Sequence, residues 1–288
     1  MIVEDVNPVR RISIETSDIL VKLLKEYKGM LAGGSAYALH HRACLKEHFS
    51  SNVNSDLDIY FNNASDYQHA VDYFKNTSTN YEIEKSVTGL CYNVHSIRSS
   101  YSENPDVKIQ LIGCVFGDAA EILQTFDFKN LEVCYIYDRR SSSYKCIRSK
   151  HADNKSNIDV RHSRSPFLMH RIYKYMTYRG FSGITKSSKQ HITDWIIKAS
   201  SGYYNENTDG CPSIYVDLLD NYSFRRMLSN NELITDEDLV YMIGRIKEDI
   251  NTARVYIDQR GYSRSTLVKE GERDIVIEEM RSRRENEN

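Results

Sequence analysis

The chain has 288 residues, a formal net charge of −2 and 40 % apolar residues. That length holds one large domain or two ordinary ones with a substantial core. The near-neutral balance excludes a protein coated in basic surface, so any nucleic-acid contact has to come from local patches. No apolar run reaches membrane-spanning length, and the opening MIVEDVNPVRR has no signal-peptide apolar region, so a cytoplasmic protein without a membrane is expected. Cys44, Cys91, Cys114, Cys134, Cys146 and Cys211 show no C-x-x-C and no paired histidine spacing, which reads as reduced thiols.

In chain order, residues 1–11 read as a loose entry. Residues 17–28 carry apolar side chains at helical spacing, and Gly29 stops that helix. Residues 30–32 form a short buried strand, Gly33-Gly34-Ser35 a turn, and 37–47 a helix. His40, His41 and His48 lie on or after it, as surface or half-buried side chains. A polar loop, 48–55, leads to the alternating strand 56–61. Residues 62–66 turn and cap a helix at 67–75 with Ala70, Val71 and Phe74 inward. Residues 81–85 read as an edge strand, and 90–97 and 107–112 as an antiparallel hairpin. A short helix at 118–125, a tight Phe126-Asp127-Phe128 connection and a strand at 131–137 follow. A βαβ-like start followed by antiparallel strands is α+β.

Residues 139–164 are polar and Ser-rich and read as a domain junction with a basic patch, in which Lys145, Arg148 and Lys150 face either phosphates or solvent. Ser165-Pro166 caps a helix at 167–179 with an apolar stripe of Leu168, Ile172, Tyr175 and Met176, ended by Gly180. Helices at 189–200, 214–228 and 236–259 follow, the last capped by Thr235 and Asp238, and then a charged tail. The expected division is a small mixed-sheet domain at 1–150 and a mostly helical domain at 151–288.

Two motifs carry chemistry. In Asp56-Leu57-Asp58-Ile59 the strand period puts both carboxylates on one face, roughly 6 to 7 Å apart at the backbone. Left bare they repel; a divalent cation removes the conflict, and hard oxygen ligands suit Mg²⁺, which keeps waters and substrate phosphates as further ligands. Gly33, Gly34 and Ser35 let backbone approach a phosphate and aim N–H groups at it. A phosphate cradle and a metal-binding acid pair are the parts of a nucleoside triphosphate site.

Ala32-Gly33-Gly34-Ser35 followed by Asp56-Leu57-Asp58-Ile59 resembles the polymerase-β-like nucleotidyltransferases, with a longer spacing, 36–55, than most members have. The resemblance implies that family's fold, a small mixed sheet followed by a mostly helical domain. It implies Mg²⁺ (two ions) on Asp56 and Asp58, and a nucleoside triphosphate such as ATP on Gly33, Gly34 and Ser35. The family often adds a third acid on a neighbouring strand; in this sequence that position is Gln110, which can ligate or orient a hydroxyl but cannot act as a base. Asp127 is the other candidate for that catalytic role. The Gln-Leu-Ile, short helix, Phe-Asp-Phe run looks like nucleotidyltransferase-like proteins of phages and large viruses, which implies the host cytoplasm as location. Arg171-Ile172-Tyr173-Lys174-Tyr175 with Gly180-Phe181 looks like the segment after the catalytic domain in tRNA nucleotidyltransferases and bacterial poly(A) polymerases. That makes Arg171 and Lys174 candidates for nucleotide contact, against the alternative of a docking helix with solvated basic residues.

The expected activity is Mg-dependent transfer of a nucleotidyl group to an acceptor hydroxyl. An RNA or tRNA end is favoured over a protein side chain or a small molecule. The alternative is a catalytically inactive relative acting as a binding or assembly factor.

Overall fold

The computed structural model describes residues 1–6, 14–41, 56–77, 81–85, 91–96, 108–162, 168–200 and 233–244. Expectations for the 48–55 loop, the 165–167 cap, residues 201–228 and the tail lie outside them. The chain divides into two units, Met1–Asp153 and Asn154–Asn288.

The first unit is built on a mixed sheet. Its strands are β1 (Ile2–Asp5), β2 (Met30–Ala32), β3 (Asp56–Phe61), β4 (Tyr81–Lys85), β5 (Cys91–Ser96), β6 (Lys108–Phe116), β7 (Val133–Asp138) and β8 (Ser143–Arg148). They are ordered β1-β8-β7-β2-β3-β6-β5-β4. β3 and β6 run parallel, and every other described neighbour pair is antiparallel. The helices are α1 (Ile14–Lys25), α2 (Gly34–His40), α3 (Ala64–Asn76) and α4 (Ala119–Gln124).

The strand alternation separates two faces. On β3, Leu57, Ile59 and Phe61 are fully buried while Asp56, Asp58 and Tyr60 are half-buried. The first set meets α1 and α3: Tyr67 of α3 touches the Phe61 ring, and Lys25 of α1 lies over Tyr137 on the same side. The second set shares its face with Met30 and Ala32, which stand opposite Tyr60 and Asp58. Part of that face is closed by α4, whose Ala119, Ile122 and Leu123 form a cluster with Met30, Ala32 and Cys134. Local signals set the helix ends. Asn63 accepts from the Asp66 N–H at 2.9 Å at the start of α3, and Asp118 and Glu121 form a reciprocal capping box on α4.

Two expectations need correction. The start of the chain is a strand rather than a loose entry: β1 pairs with β8. All four β1 residues are exposed, so no burial period marks it in the sequence. The Ser-rich stretch after Arg139 is not merely a junction either. Asp138 accepts from the Arg140 N–H and the Ser141 hydroxyl, Ser142 takes φ 51°, and the chain returns as β8 against β7. Two cations of that stretch are held by acids. Lys145 pairs with Asp5 at 2.7 Å, and Arg148 with Glu4 and Asp153 at 2.8 Å each. Lys150 is exposed in a short 3-10 turn, Lys150–Asp153.

The second unit contains β9 (Asn157–Ile158), α5 (Leu168–Tyr178), β10 (Gly183–Ile184) and α6 (Lys186–Ser200), with helical residues at 236–244. β9 and β10 are a short parallel pair. On α5 the buried stripe is Leu168, Met169, Ile172 and Tyr173, while Tyr175 and Met176 are half-buried. Gly180, at φ 75°, follows α5, and Phe181 folds back so that its N–H bonds the Tyr175 carbonyl at 3.4 Å. The helix from 236 opens on the Thr235–Asp238 capping box, and Thr193 of α6 accepts from the Ile234 N–H at 3.0 Å. The architecture is α+β, with a mixed sheet. No described helix is long and apolar enough to cross a membrane.

Candidate functional site

β2, α2 and β3 assemble the front of the site. β2 ends at Ala32 opposite Asp58, and the chain turns into α2 through Gly33 at φ 81°, ψ −149°. That φ favours glycine. A Cβ at Gly33 would lie 3.2 Å from Asp58 Oδ2, so the missing side chain keeps the space beside this carboxylate open. The first intrahelical bond is Tyr37 N–H to Gly33 O at 2.9 Å. Helix geometry leaves the N–H groups of Gly34, Ser35 and Ala36 without an intrahelical acceptor.

Ser35 has a different role from the one its sequence position suggests. It is 2 % exposed, and its hydroxyl donates to the backbone carbonyl of Asp56. A hydroxyl has one proton to donate. Ser35 therefore ties the start of β3 to the first turn of α2, and leaves its backbone N–H, not its hydroxyl, for an anion.

Asp56 and Asp58 lie on one face of β3, both half-buried. Beside them in parallel register stand Lys108 and Gln110 of β6, with Gln110 level with Asp58. Gln110 Nε2 donates to Asn93 Oδ1 of β5 at 3.1 Å. Asn93 was not evident from sequence: its place in an alternating strand marks a face, but its neighbour is known only from the register.

Asp127 lies elsewhere on the rim. Ala32 stands opposite Cys134, so β7 begins at the end of the sheet where β2 finishes and β3 starts. Asp127 comes shortly before β7, ahead of the 3-10 turn Lys129–Leu131, which lies against α2. It is 7 % exposed, next to fully buried Phe128, while Phe126 meets Tyr60 at 5.8 Å between rings. Arg171 and Lys174 sit on α5 of the second unit, exposed and half-buried respectively.

Among the described residues, no group of three or more His, Cys, Asp or Glu side chains gathers as a metal site. The donors present are two carboxylates and a carboxamide. With open space beside Asp58, that set fits a hard divalent cation that takes its remaining ligands from water and phosphate.

The solved structures this chain is similar to are CCA-adding enzymes. A Thermotoga maritima CCA-adding enzyme complexed with tRNA matches at a TM-score of 0.51 and 14 % identity, over 80 % of this chain and 54 % of that one. A CCA-adding enzyme in complex with ATP matches at 0.50 and 15 %, over 80 % and 55 %. An apo form matches at 0.51 and 12 %, over 92 % and 60 %. The chain thus spans little more than half the length of these structures. At such identities the likeness is one of fold alone. No curated protein matches the sequence. The family model described as Gabija anti-defense 2 family protein matches residues 9–155, just over half of the chain. The stretch it covers includes the glycine turn, the acid pair, Gln110 and Asp127, and on that match the chain belongs to the Gabija anti-defense 2 family.

Proposed function

We propose that the first unit binds a nucleoside triphosphate and transfers its nucleotidyl group to an acceptor hydroxyl, in the service of a phage that counters Gabija defence. The observation that carries this reading is the placement of Asp56 and Asp58 on one strand face, beside a glycine whose missing side chain leaves room at Asp58. Asp56 and Asp58 would hold Mg²⁺, which when bound neutralises phosphate charge. The N–H groups of Gly34, Ser35 and Ala36 are the donors for the triphosphate. The acceptor oxygen forms a bond to the α-phosphorus as the bond from phosphorus to the pyrophosphate oxygen breaks. The hydroxyl proton passes to solvent, because Gln110 cannot accept it. Asp127, buried ahead of β7, is the other candidate for the third acidic, catalytic role. An RNA end is the favoured acceptor, and Arg171 and Lys174 are candidates for triphosphate or base contact. The nucleotidyltransferase-like domain is taken as residues 1–150 and the mostly helical domain as 151–288.

The test is incubation with each labelled triphosphate, Mg²⁺, total RNA and total protein. Label should appear in one acceptor fraction and vanish in Asp56→Ala/Asp58→Ala. One observation favours a second reading, a binding factor without catalysis: a carboxamide, not a carboxylate, stands level with Asp58 on β6. Triphosphate binding unchanged by the double substitution, with no labelled product, would select that reading.

A further inference from the structure

The level of Asp58 continues across the sheet as a row of polar residues. Asp58 stands beside Gln110, Gln110 opposite Asn93, and Asn93 opposite Glu84. Opposed residues on adjacent strands share a face, with Cβ atoms about 4.5 to 5.5 Å apart. The row therefore lies on the face that carries the two carboxylates. Gln110 and Asn93 are both half-buried, and the hydrogen bond between them runs from Gln110 Nε2 to Asn93 Oδ1 at 3.1 Å. A carboxamide has a donor end and an acceptor end. With its nitrogen engaged by β5, the Gln110 carboxamide spends its donor end on Asn93 and keeps its acceptor end for another partner, on the strand that stands level with Asp58.

We infer that Gln110 is a third, uncharged oxygen donor to the cation held by Asp56 and Asp58, and that Asn93 is the positioning residue that aims it. Side-chain carbonyl oxygens ligate hard cations alongside carboxylates. A neutral donor at this level adds a ligand without a third negative charge beside two others, which would otherwise raise a carboxyl pKa. Asn93 touches Gln110 and acts on the cation through it, as outer partners fix first ligands in other metal sites. The inference rests on the cation-dependent reading of the acid pair, and its new part is Asn93, which the sequence pattern does not single out.

The test is a titration of the full chain with Mn²⁺, without nucleotide, followed by calorimetry or by the loss of the free-ion paramagnetic resonance signal. Asn93→Leu is expected to weaken Mn²⁺ binding about tenfold, and Gln110→Leu at least as much. The Asn93→Leu/Gln110→Leu double variant should bind no more weakly than Gln110→Leu alone, because Asn93 has nothing left to aim. Gln110→Glu preserves the shape and should tighten binding, so it carries the test if the leucine variants do not fold. If Gln110→Leu and Gln110→Glu bind Mn²⁺ as the parent does while Asp58→Ala loses it, the inference is overturned and the acid-pair reading stands. If the parent chain binds no Mn²⁺ with or without ATP, both fall.

Discussion

The hydroxyl of Ser35 donates to the backbone carbonyl of Asp56, joining the first turn of α2 to the first residue of the acid-bearing strand. The two parts of the site are separated by 20 residues in sequence, 36–55, and this contact adds to the β2–β3 pairing that sets their relative position. Ser35 is buried, so Ser35→Ala removes the donor and leaves the Asp56 carbonyl without it. A loss of about 0.5 to 1.5 kcal/mol is expected from removing one such hydrogen bond, read as a lower urea midpoint. Triphosphate affinity should fall with it, since the strand and the cradle are no longer pinned together.

Gly33 is the position where a side chain should damage the site more than the fold. At φ 81° an alanine is strained by about 1 to 2 kcal/mol. Its Cβ would stand 3.2 Å from Asp58 Oδ2, closer than an ordinary contact. Gly33→Ala is expected to remain folded by circular dichroism while losing Mn²⁺ and triphosphate affinity. Retention of both affinities would remove Gly33 from the proposed cradle.

The β1 edge should respond to acid. The Lys145 side chain, then Ser143, hydrogen-bonds the Asp5 carboxylate and holds its pKa below the usual aspartate value. A carboxyl lowered in the folded state contributes stability above its unfolded pKa and loses it as pH falls through the folded value. The β1–β8 edge should therefore lose amide protection in that acidic window, below the ordinary aspartate range. Asp5→Asn should show reduced protection already at neutral pH and a flatter profile through the same window. The Val6 N–H donates to the Tyr144 carbonyl at 3.0 Å, and by the alternation of the antiparallel ladder Glu4 and Cys146 face each other in the same way, so amide hydrogen exchange at Glu4, Val6 and Cys146 against pH reads this directly.

Thiol reactivity should rank by burial. Cys114 is exposed, whereas Cys134 and Cys146 are fully buried and Cys91 nearly so. Burial pushes the Cys146 thiol up to about 11 and raises that of Cys134 further. The thiolate is the reactive form. Alkylation in native buffer followed by peptide mass spectrometry should therefore label Cys114 ahead of these three, and Cys134 and Cys146 should label when urea unfolds the sheet. Early labelling of Cys146 would mean that β8 opens independently.

The acid pair was legible because a strand has a period of two: Asp56 and Asp58 share a face whatever the strand pairs with. The same local logic exposed the short strand at 30–32, the capped helices and the α+β class. Sequence alone did not reveal β1, whose residues are all exposed, or β8, hidden in a Ser-rich stretch. β8 forms against β7 through the turn at Asp138, and β1 adds to its other edge, held by ion pairs between residues more than 130 positions apart. Tertiary structure alone assigned Ser35 to Asp56, Gln110 to Asp58 and Asn93 to Gln110. Periodicity tells which way a side chain points from its own strand, whereas register tells what stands beside it, and register is settled only when the whole sheet closes on its core.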